Sequence, residues 1–303
     1  MATIGVSIIA KNEEQMIGAC LESVKDADEI IVLDTGSEDK TVEIASKYAK
    51  VLTHYKWNDN FSEARNEAQK HCTADWIVII DCDEVASPGF ISAIRAIVGR
   101  KENTDMIAFT CDVQTALELI NSPRVLKNIP EMKWEDPAHN RLPLVEANGD
   151  LIRKTHLLIN SGFSPNHTKD KDRTLRILKK AIQEEPHKLR YYYYISREYL
   201  SRQMVYEAIH NLEFYCENAE PSNESADAHF LAATCYWDLA KTTGNQGMYL
   251  KAWNHAWECV KTIPTTKDAW KIITSLSNGP FKKFFAQVVE MADNDHVMMV
   301  RNL

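Results

Sequence analysis

The chain has 303 residues, 45% of them hydrophobic and 26% charged, with a formal net charge of -8 at pH 7. That supplies apolar surface for a sizeable core, expected in two units, and the negative balance gives no general support for nucleic acid or an anionic membrane surface as the partner. The start lacks a signal-peptide pattern and no run approaches the roughly 18 apolar residues of a membrane span, so a cytoplasmic location is expected.

The first third alternates between strand and helix patterns. Ile4 to Ala10 is an apolar run read as a strand, and Met16, Ile17, Cys20, Leu21 and Val24 recur at helical spacing within 14–24. A second strand over 29–33 and a helix over 41–48 follow, then a third strand over 51–54 and a helix with Phe61, Ala64, Ala68 and Cys72 on one face. Trp76-Ile77-Val78-Ile79-Ile80 suits a strand covered on both faces. A helix near 90–98 and a strand over 106–113 complete the series. Such alternation implies right-handed crossovers and a mainly parallel, doubly wound α/β sheet.

From 114 to 165, five prolines (Pro123, Pro130, Pro137, Pro143 and Pro165) interrupt the periodicity, which reads as loops and short strands covering the sheet's crevice. After Lys169 the pattern is continuously helical, broken near Pro186, Pro221, Gly244 and Pro264. Offsets among Tyr192, Ser196, Tyr199, Ala208, Leu212 and Tyr215, and a looser set at Ala233, Tyr236, Ala252, Cys259 and Pro264, resemble tetratricopeptide-like hairpins; a plain helical bundle would place similar residues there. The expected division is an α/β domain over 1–168 and an all-α helical-hairpin domain over 169–303. The run Tyr191 to Tyr194 points successive rings in different directions on a helix and reads as packing. The basic cluster from Lys169 to Lys180, with Arg173 and Arg176, reads as a solvated helix face.

The chemistry concentrates where strands end. The run at 76–80 stops abruptly at Asp81-Cys82-Asp83-Glu84. Ligands of open α/β sheets bind beyond the carboxyl ends of the strands, and paired oxygen donors there suit a hard divalent cation holding phosphates. The alternative is that these acids cap the helix after Ser87-Pro88, with Pro88 at its first position. The first strand ends in Ala10-Lys11-Asn12-Glu13-Glu14, where backbone donors and Asn12 could meet a nucleotide or simply cap a helix. The second ends in Asp34-Thr35-Gly36-Ser37: Gly36 allows a tight turn, and Asp34 can accept hydrogen bonds from a base or ribose. Arg65 and Asn66 sit one turn into a helix, where Arg65 can hold a phosphate, orient one of the acids, or form a surface ion pair. Seven cysteines without C-x-x-C or zinc-finger spacing favour reduced thiols over disulfides or a zinc site, and Cys82 lies between the two acids.

These four segments, in this order and spacing, resemble family 2 glycosyltransferases of the GT-A fold over roughly the first 100 residues. A helical tail with tetratricopeptide-like pairs resembles one bacterial and phage-type branch of that family. The resemblance implies a nucleotide-sugar donor, most often a UDP-sugar, contacting Ala10, Lys11, Asn12, Glu13, Asp34, Gly36, Arg65, Asp81, Cys82 and Asp83. It also implies Mn2+ or Mg2+ bridging the diphosphate to Asp83 and Asp81, with inversion at the anomeric carbon. Relatives carry an aromatic residue and a His-Glu pair where this chain has Trp134-Glu135-Asp136-Pro137-Ala138-His139-Asn140. Because the amide of Asn140 cannot be a base, Asp136, Glu135 and His139 are the candidate bases, with Asp136 preferred. Where relatives show His-x-Gly-Tyr, this chain has Asn160-Ser161-Gly162-Phe163, so His156 and His167 are the candidates for a third metal ligand. The implied acceptor is a glycan, a lipid-linked sugar or a protein side chain, with a modified base of phage DNA ranked lower. A non-catalytic module binding a protein partner through its helices is the alternative. A nucleotidyltransferase ranks last, since no glycine- and basic-rich phosphate loop follows the first strand.

Overall fold

The computed structural model describes residues 1–162, 164–165 and 169–291. The chain divides into two compact units, Met1–Arg173 and Thr174–Leu303.

The first unit is built on an eight-stranded sheet of order β3-β2-β1-β4-β7-β6-β8-β5. Its strands are β1 (Ile4–Ala10), β2 (Glu29–Asp34), β3 (Val51–His54), β4 (Trp76–Ile79), β5 (Glu84–Ala86), β6 (Ala108–Gln114), β7 (Leu119–Lys127) and β8 (Ile152–Ser161). The first four pair in parallel, β6 and β8 run the same way, and β7 and β5 are antiparallel to their neighbours. The helices α1 (Ile17–Ser23), α2 (Thr41–Ala45), α3 (Phe61–Lys70), α4 (Phe90–Val98) and α5 (Pro143–Ala147) complete the unit. One core joins Ile4, Val6, Ile8, Val32 and Val78 to Ile17 and Leu21 of α1 and Phe90 and Ile94 of α4. The opposite faces supply Ile31, Ile77 and Ile79 to a second cluster. Burial on both faces is the reason these strands read as unbroken apolar runs.

The α/β class is as expected, with local differences. Helix α1 starts at Ile17 rather than near Glu14, because the Glu13 carbonyl accepts from both Met16 and Ile17 and closes a turn first. The segment 114–165 holds two long strands, not short ones. Pro123 is tolerated in β7 because it sits at the irregularity in the β6 pairing, where the ladder is already broken. Pro88 does not open α4: Gly89, at φ 78, takes the cap position, with no side-chain cap. The capping alternative for Asp81, Asp83 and Glu84 therefore fails.

A buried carboxylate ties the lower end of the sheet together. Glu29 accepts hydrogen bonds from the Thr73 hydroxyl (2.9 Å), the Ala74 N–H (2.6 Å), the Thr73 N–H and the Cys72 thiol (3.0 Å). Burial alone would raise its pKa, but those donors outweigh burial and hold it down to about 2, against an ordinary value of 4.5. Its contribution is complete above about pH 4.5 and is lost as pH falls toward 2. Glu29→Gln is expected to lower stability by roughly 1–3 kcal/mol at neutral pH. In denaturant titrations the gap from wild type should narrow as pH falls through that window; a gap independent of pH would reject the assignment.

The second unit is all-helical. Helices α6 (Arg173–Glu184), α7 (Leu189–Ser201), α8 (Val205–Asn218), α9 (Asn223–Thr243), α10 (Gln246–Thr262), α11 (Lys267–Leu276) and α12 (Gly279–Met291) follow one another. Short turns join α7 to α8, α9 to α10 and α11 to α12, the arrangement of helical hairpins. Small residues at the crossings, Ala208, Ala226, Ala233, Ala252 and Ala256, are fully buried. The tyrosine run packs as expected: Tyr191 and Tyr193 are buried, and the Tyr193 hydroxyl donates to Asp227 at 2.5 Å. Arg176, Lys179 and Lys180 lie on the exposed side of α6.

Candidate functional site

Strand register brings three chain segments to one edge. Ala10 lies opposite Asp34, and Ser7 opposite Ile79, so β1, β2 and β4 reach their carboxyl ends together. Asn12 follows in a left-handed conformation (φ 55), which an Asn tolerates. Its N–H donates to the Ser37 hydroxyl (2.9 Å) and its side-chain oxygen accepts from the Glu38 N–H (2.7 Å), clasping the first two strand ends together. Asp34 is buried and its carboxylate accepts from the N–H groups of Gly36 and Ser37 (3.1 Å each). The Nδ1 of His54, on the neighbouring β3, is 3.1 Å from Asp34 Oδ2. Gly36, at φ 105 in open space, lets this turn close. Ala10 is buried, its carbonyl accepting from Thr35, while Lys11 is exposed.

The acid turn is an ion cluster. Asp81 receives Arg65 at 2.7 Å and lies 3.8 Å from Arg124, whose other nitrogen is 2.6 Å from Glu84. Asp83 is nearly buried; its carboxylate accepts from the Ser164 N–H (3.3 Å) and its carbonyl from the Gly162 N–H (2.7 Å). Ser164 is fully buried and also donates its hydroxyl to the Glu13 carboxylate (2.7 and 2.8 Å), so one residue links the ends of β1 and β4. Burial and the nearby Asp81 charge push Glu84 up to about 7, against the opposing pull of Arg124. Burial, with Glu13, Asp81 and Asp83 adding to it, pushes the Cys82 thiol well above its ordinary value. Without a bound metal, Cys82 is therefore a neutral thiol rather than a nucleophile.

Helix α3 carries the candidate base loop. Asn60 caps it by accepting from the Glu63 N–H (3.1 Å). Ser62, Asn66 and Gln69, on one face at helical spacing, bond the loop backbone at Asp136, Trp134 and Met132. Phe61 donates its N–H to the Pro137 carbonyl at 2.9 Å. Arg65, next to that face, reaches Asp81 and lies over the Trp134 ring at 5.2 Å. In the loop, Asp136 is buried with a positive φ of 68 and the Nε of Arg141 3.3 Å away. Glu135 is exposed and paired with Arg141 at 3.0 Å, and His139 is exposed, with φ 51. Asn140 donates to the Ser62 hydroxyl (2.8 Å) and the Asp136 carbonyl, a structural use of the amide.

The structure thus brings together Asn12, Glu13, Asp34, Arg65, Asp81, Cys82, Asp83 and the loop 134–140. It does not bring His156 there, and the proposed third metal ligand needs correction. Ser161 pairs with Glu84, and His156 lies five residues up the same strand, roughly 16 Å away at about 3.3 Å per residue. Its Nδ1 faces Asp112 at 3.1 Å instead. His167, the other candidate, and Phe163 lie outside the described residues. Arg124, Ser164 and His54 are contributors that sequence reasoning missed; Arg124 and Ser164 fall in the stretch where prolines hide the periodicity.

What remains fits a hard cation. Among the described residues, the acidic side chains of Glu13, Asp81, Asp83 and Glu84 meet here with the guanidiniums of Arg65 and Arg124. All donors are oxygens, and two carboxylates completed by phosphate and water are an ordinary Mg2+ or Mn2+ set.

The profile of glycosyl transferase family 2 matches residues 6–122, the stretch from β1 into β7. Over this stretch the chain is similar to family 2 glycosyl transferases. A TPR repeat-containing protein of Synechococcus elongatus is 35% identical over 144 residues, covering 46% of this chain and 35% of that protein. The SPbeta prophage-derived glycosyltransferase SunS of Bacillus subtilis is 28% identical over 251 residues, covering 76% and 57%. The chain thus spans about half or less of the length of these relatives. Among solved structures, TarS 1–349 of S. aureus in complex with UDP-GlcNAc superposes with TM-score 0.45 at 11% identity, covering 95% of this chain and 88% of that one. Glucosyl-3-phosphoglycerate synthase of Mycobacterium tuberculosis, with Mn2+ and UDP-glucose, gives 0.44 at 18%, covering 56% and 73%. The matched stretch ends within the sheet, and β8 and the base loop lie beyond it. No helix among the described residues is long and apolar enough to cross a membrane.

Proposed function

We propose that the chain is a glycosyltransferase that moves a sugar from a nucleotide-sugar donor, a UDP-sugar first, to an acceptor hydroxyl, with Mn2+ or Mg2+ at the acid turn. One observation carries the reading: within the stretch that matches glycosyl transferase family 2, the acid turn Asp81–Asp83 and the turn at Asp34 emerge at the same edge from β4 and β2, the two parallel strands that flank β1. Asp83 and Asp81 would hold the ion, which when bound neutralises charge developing on the leaving diphosphate. Arg65 and Arg124 are held at Asp81 and Glu84 and are placed to take a share of that phosphate charge. The turn at Asn12 and Asp34 would receive the nucleoside, with Asp34 positioning the turn through Gly36 and Ser37 and its remaining acceptor capacity facing the ribose or base.

The acceptor proton needs a base on the opposite side of the anomeric carbon, consistent with in-line inversion. Asp136 is the preferred group, because α3 fixes its loop through three backbone contacts and the Nε of Arg141 lies 3.3 Å from its carboxylate. Glu135 and His139 are its rivals. Glycans, lipid-linked sugars and protein side chains all present suitable hydroxyls; a cytoplasmic site of action fits these uses.

The test is hydrolysis and binding of UDP-, GDP- and TDP-sugars with and without Mn2+. One donor turned over only with metal is the expected result. No binding of any donor by folded protein would overturn the enzymatic reading in favour of a binding module.

A further inference from the structure

A second group of metal-ligating side chains lies in the helical unit. Cys216 near the end of α8, His229 in α9 and His255 in α10 bring one thiol sulfur and two imidazole nitrogens within 4.8 Å of one another. We propose that these three residues bind one transition-metal ion, zinc by preference, and that the ion clamps three successive helices together.

The ligand chemistry is borderline soft: one thiolate and two imidazoles suit zinc, unlike the all-oxygen set of the acid turn. Geometry supports the assignment. The two Nδ1 atoms are 2.9 Å apart. Tetrahedral bonds of about 2.0–2.1 Å would place them about 3.3 Å apart, so a small opening of the pair admits an ion. The outer partners are present as well. His255 Nε2 faces Glu213 at 3.4 Å, which assigns its proton to Nε2 and leaves the Nδ1 lone pair aimed into the cluster. Glu213 itself is fixed by Lys251 (2.8 Å) and the Tyr236 hydroxyl, and the Tyr236 ring stacks on His255. A carboxylate orienting a ligating imidazole is the arrangement that raises ligand basicity in known metal sites.

Both imidazoles are in the state a metal needs. Burial lowers the His229 pKa to about 4, with His255 adding to the effect, and burial lowers His255 below its usual range. Both are neutral at pH 7. Burial, with Glu213 and Glu217 adding to it, pushes the Cys216 thiol up to about 12 without metal, so binding must expel its proton. In the free form His229 donates Nδ1–H to His255; on binding that proton moves to its Nε2, the thiol proton goes to solvent, and one Cys–S–metal bond and two nitrogen–metal bonds form. The fourth position is left for water.

The full chain, stripped with a chelator and titrated with Co2+, tests this. The expected result is a thiolate-to-cobalt charge-transfer band saturating at one equivalent, displaced by Zn2+, with zinc raising the melting temperature. Cys216→Ser should abolish the band. His229→Gln should shift its ligand-field spectrum and weaken binding. Glu213→Gln should weaken zinc about 10–100-fold while keeping the band. Asp83→Ala should leave all of this unchanged, which separates this site from the acid turn and from the transferase reading. Absence of the band in protein shown to be folded by circular dichroism overturns the proposal. So does its survival in Cys216→Ser.

Discussion

Asp83→Ala is expected to lower metal-dependent turnover of the donor sugar by at least about 10²–10³-fold while leaving the protein folded. The size follows from the several kcal/mol that a cation contributes to leaving-group stabilisation, at roughly 1.4 kcal/mol per decade of rate. Asp83 rather than Asp81 should show the larger loss. Asp81 already has Arg65 at 2.7 Å and Arg124 at 3.8 Å, so an ion there must share its carboxylate. The Asp83 carboxylate accepts a long hydrogen bond, 3.3 Å, from the Ser164 N–H. A structural role for Asp83 would look different: both donor binding without metal and the melting temperature would fall together. The decisive comparison is Mn2+ affinity in Asp83→Asn, which keeps the shape and loses the charge. A weakened ion with unchanged stability supports the ligand role, whereas turnover within about twofold of wild type in Asp83→Ala would discard it.

Much of this site was legible in the sequence because parallel strands buried on both faces leave a plain signal. Ile4 to Ala10, Glu29 to Leu33 and Trp76 to Ile80 are largely apolar runs that stop at polar residues, and those stops meet at one edge of the sheet. The roles were less legible than the positions. Asp34 sits where expected, yet its oxygens meet the N–H groups of Gly36 and Ser37, a contact within its own turn that no spacing along the chain distinguishes from ligand binding. His156 was misplaced because distance along a strand is long: a few residues of separation in sequence become many ångströms in space. Arg124 was missed because the first third of β7 is exposed, with Leu119 and Ile120 on the surface, so its alternation does not read as core. Cys216, His229 and His255 escaped for the opposite reason. They are far apart in sequence, on three helices, and a spacing rule written for one short loop cannot find them.

Gly162→Ala is expected to reduce turnover about 10²-fold without touching a candidate ligand. A Cβ at Gly162 would overlap the backbone carbonyl oxygen of Asp83 and lie 2.7 Å from Met16 Cε. The methionine tip can swing away, but the carbonyl belongs to the acid turn itself and already accepts the Gly162 N–H at 2.7 Å. Relief therefore requires the turn at Asp83 to move relative to the end of β8, on the order of an ångström, and a shift of that size at a reacting group costs about two decades of rate. Stability should fall less, because β5 pairs with β8 at Glu84, Val85 and Ala86 and the core beneath is unaltered. Gly18→Ala serves as the control: its Cβ would meet only Ile44 Cγ2 at 3.7 Å, an ordinary contact, and alanine favours a helix. The measurement is kcat and KM for the donor found in the panel, alongside thermal melts. A fall in kcat confined to Gly162→Ala places the acid turn's position, as well as its charge, in the chemistry. Equal turnover in the two variants would mean that the turn tolerates displacement, and the site would have to be held by the diphosphate rather than by the fold.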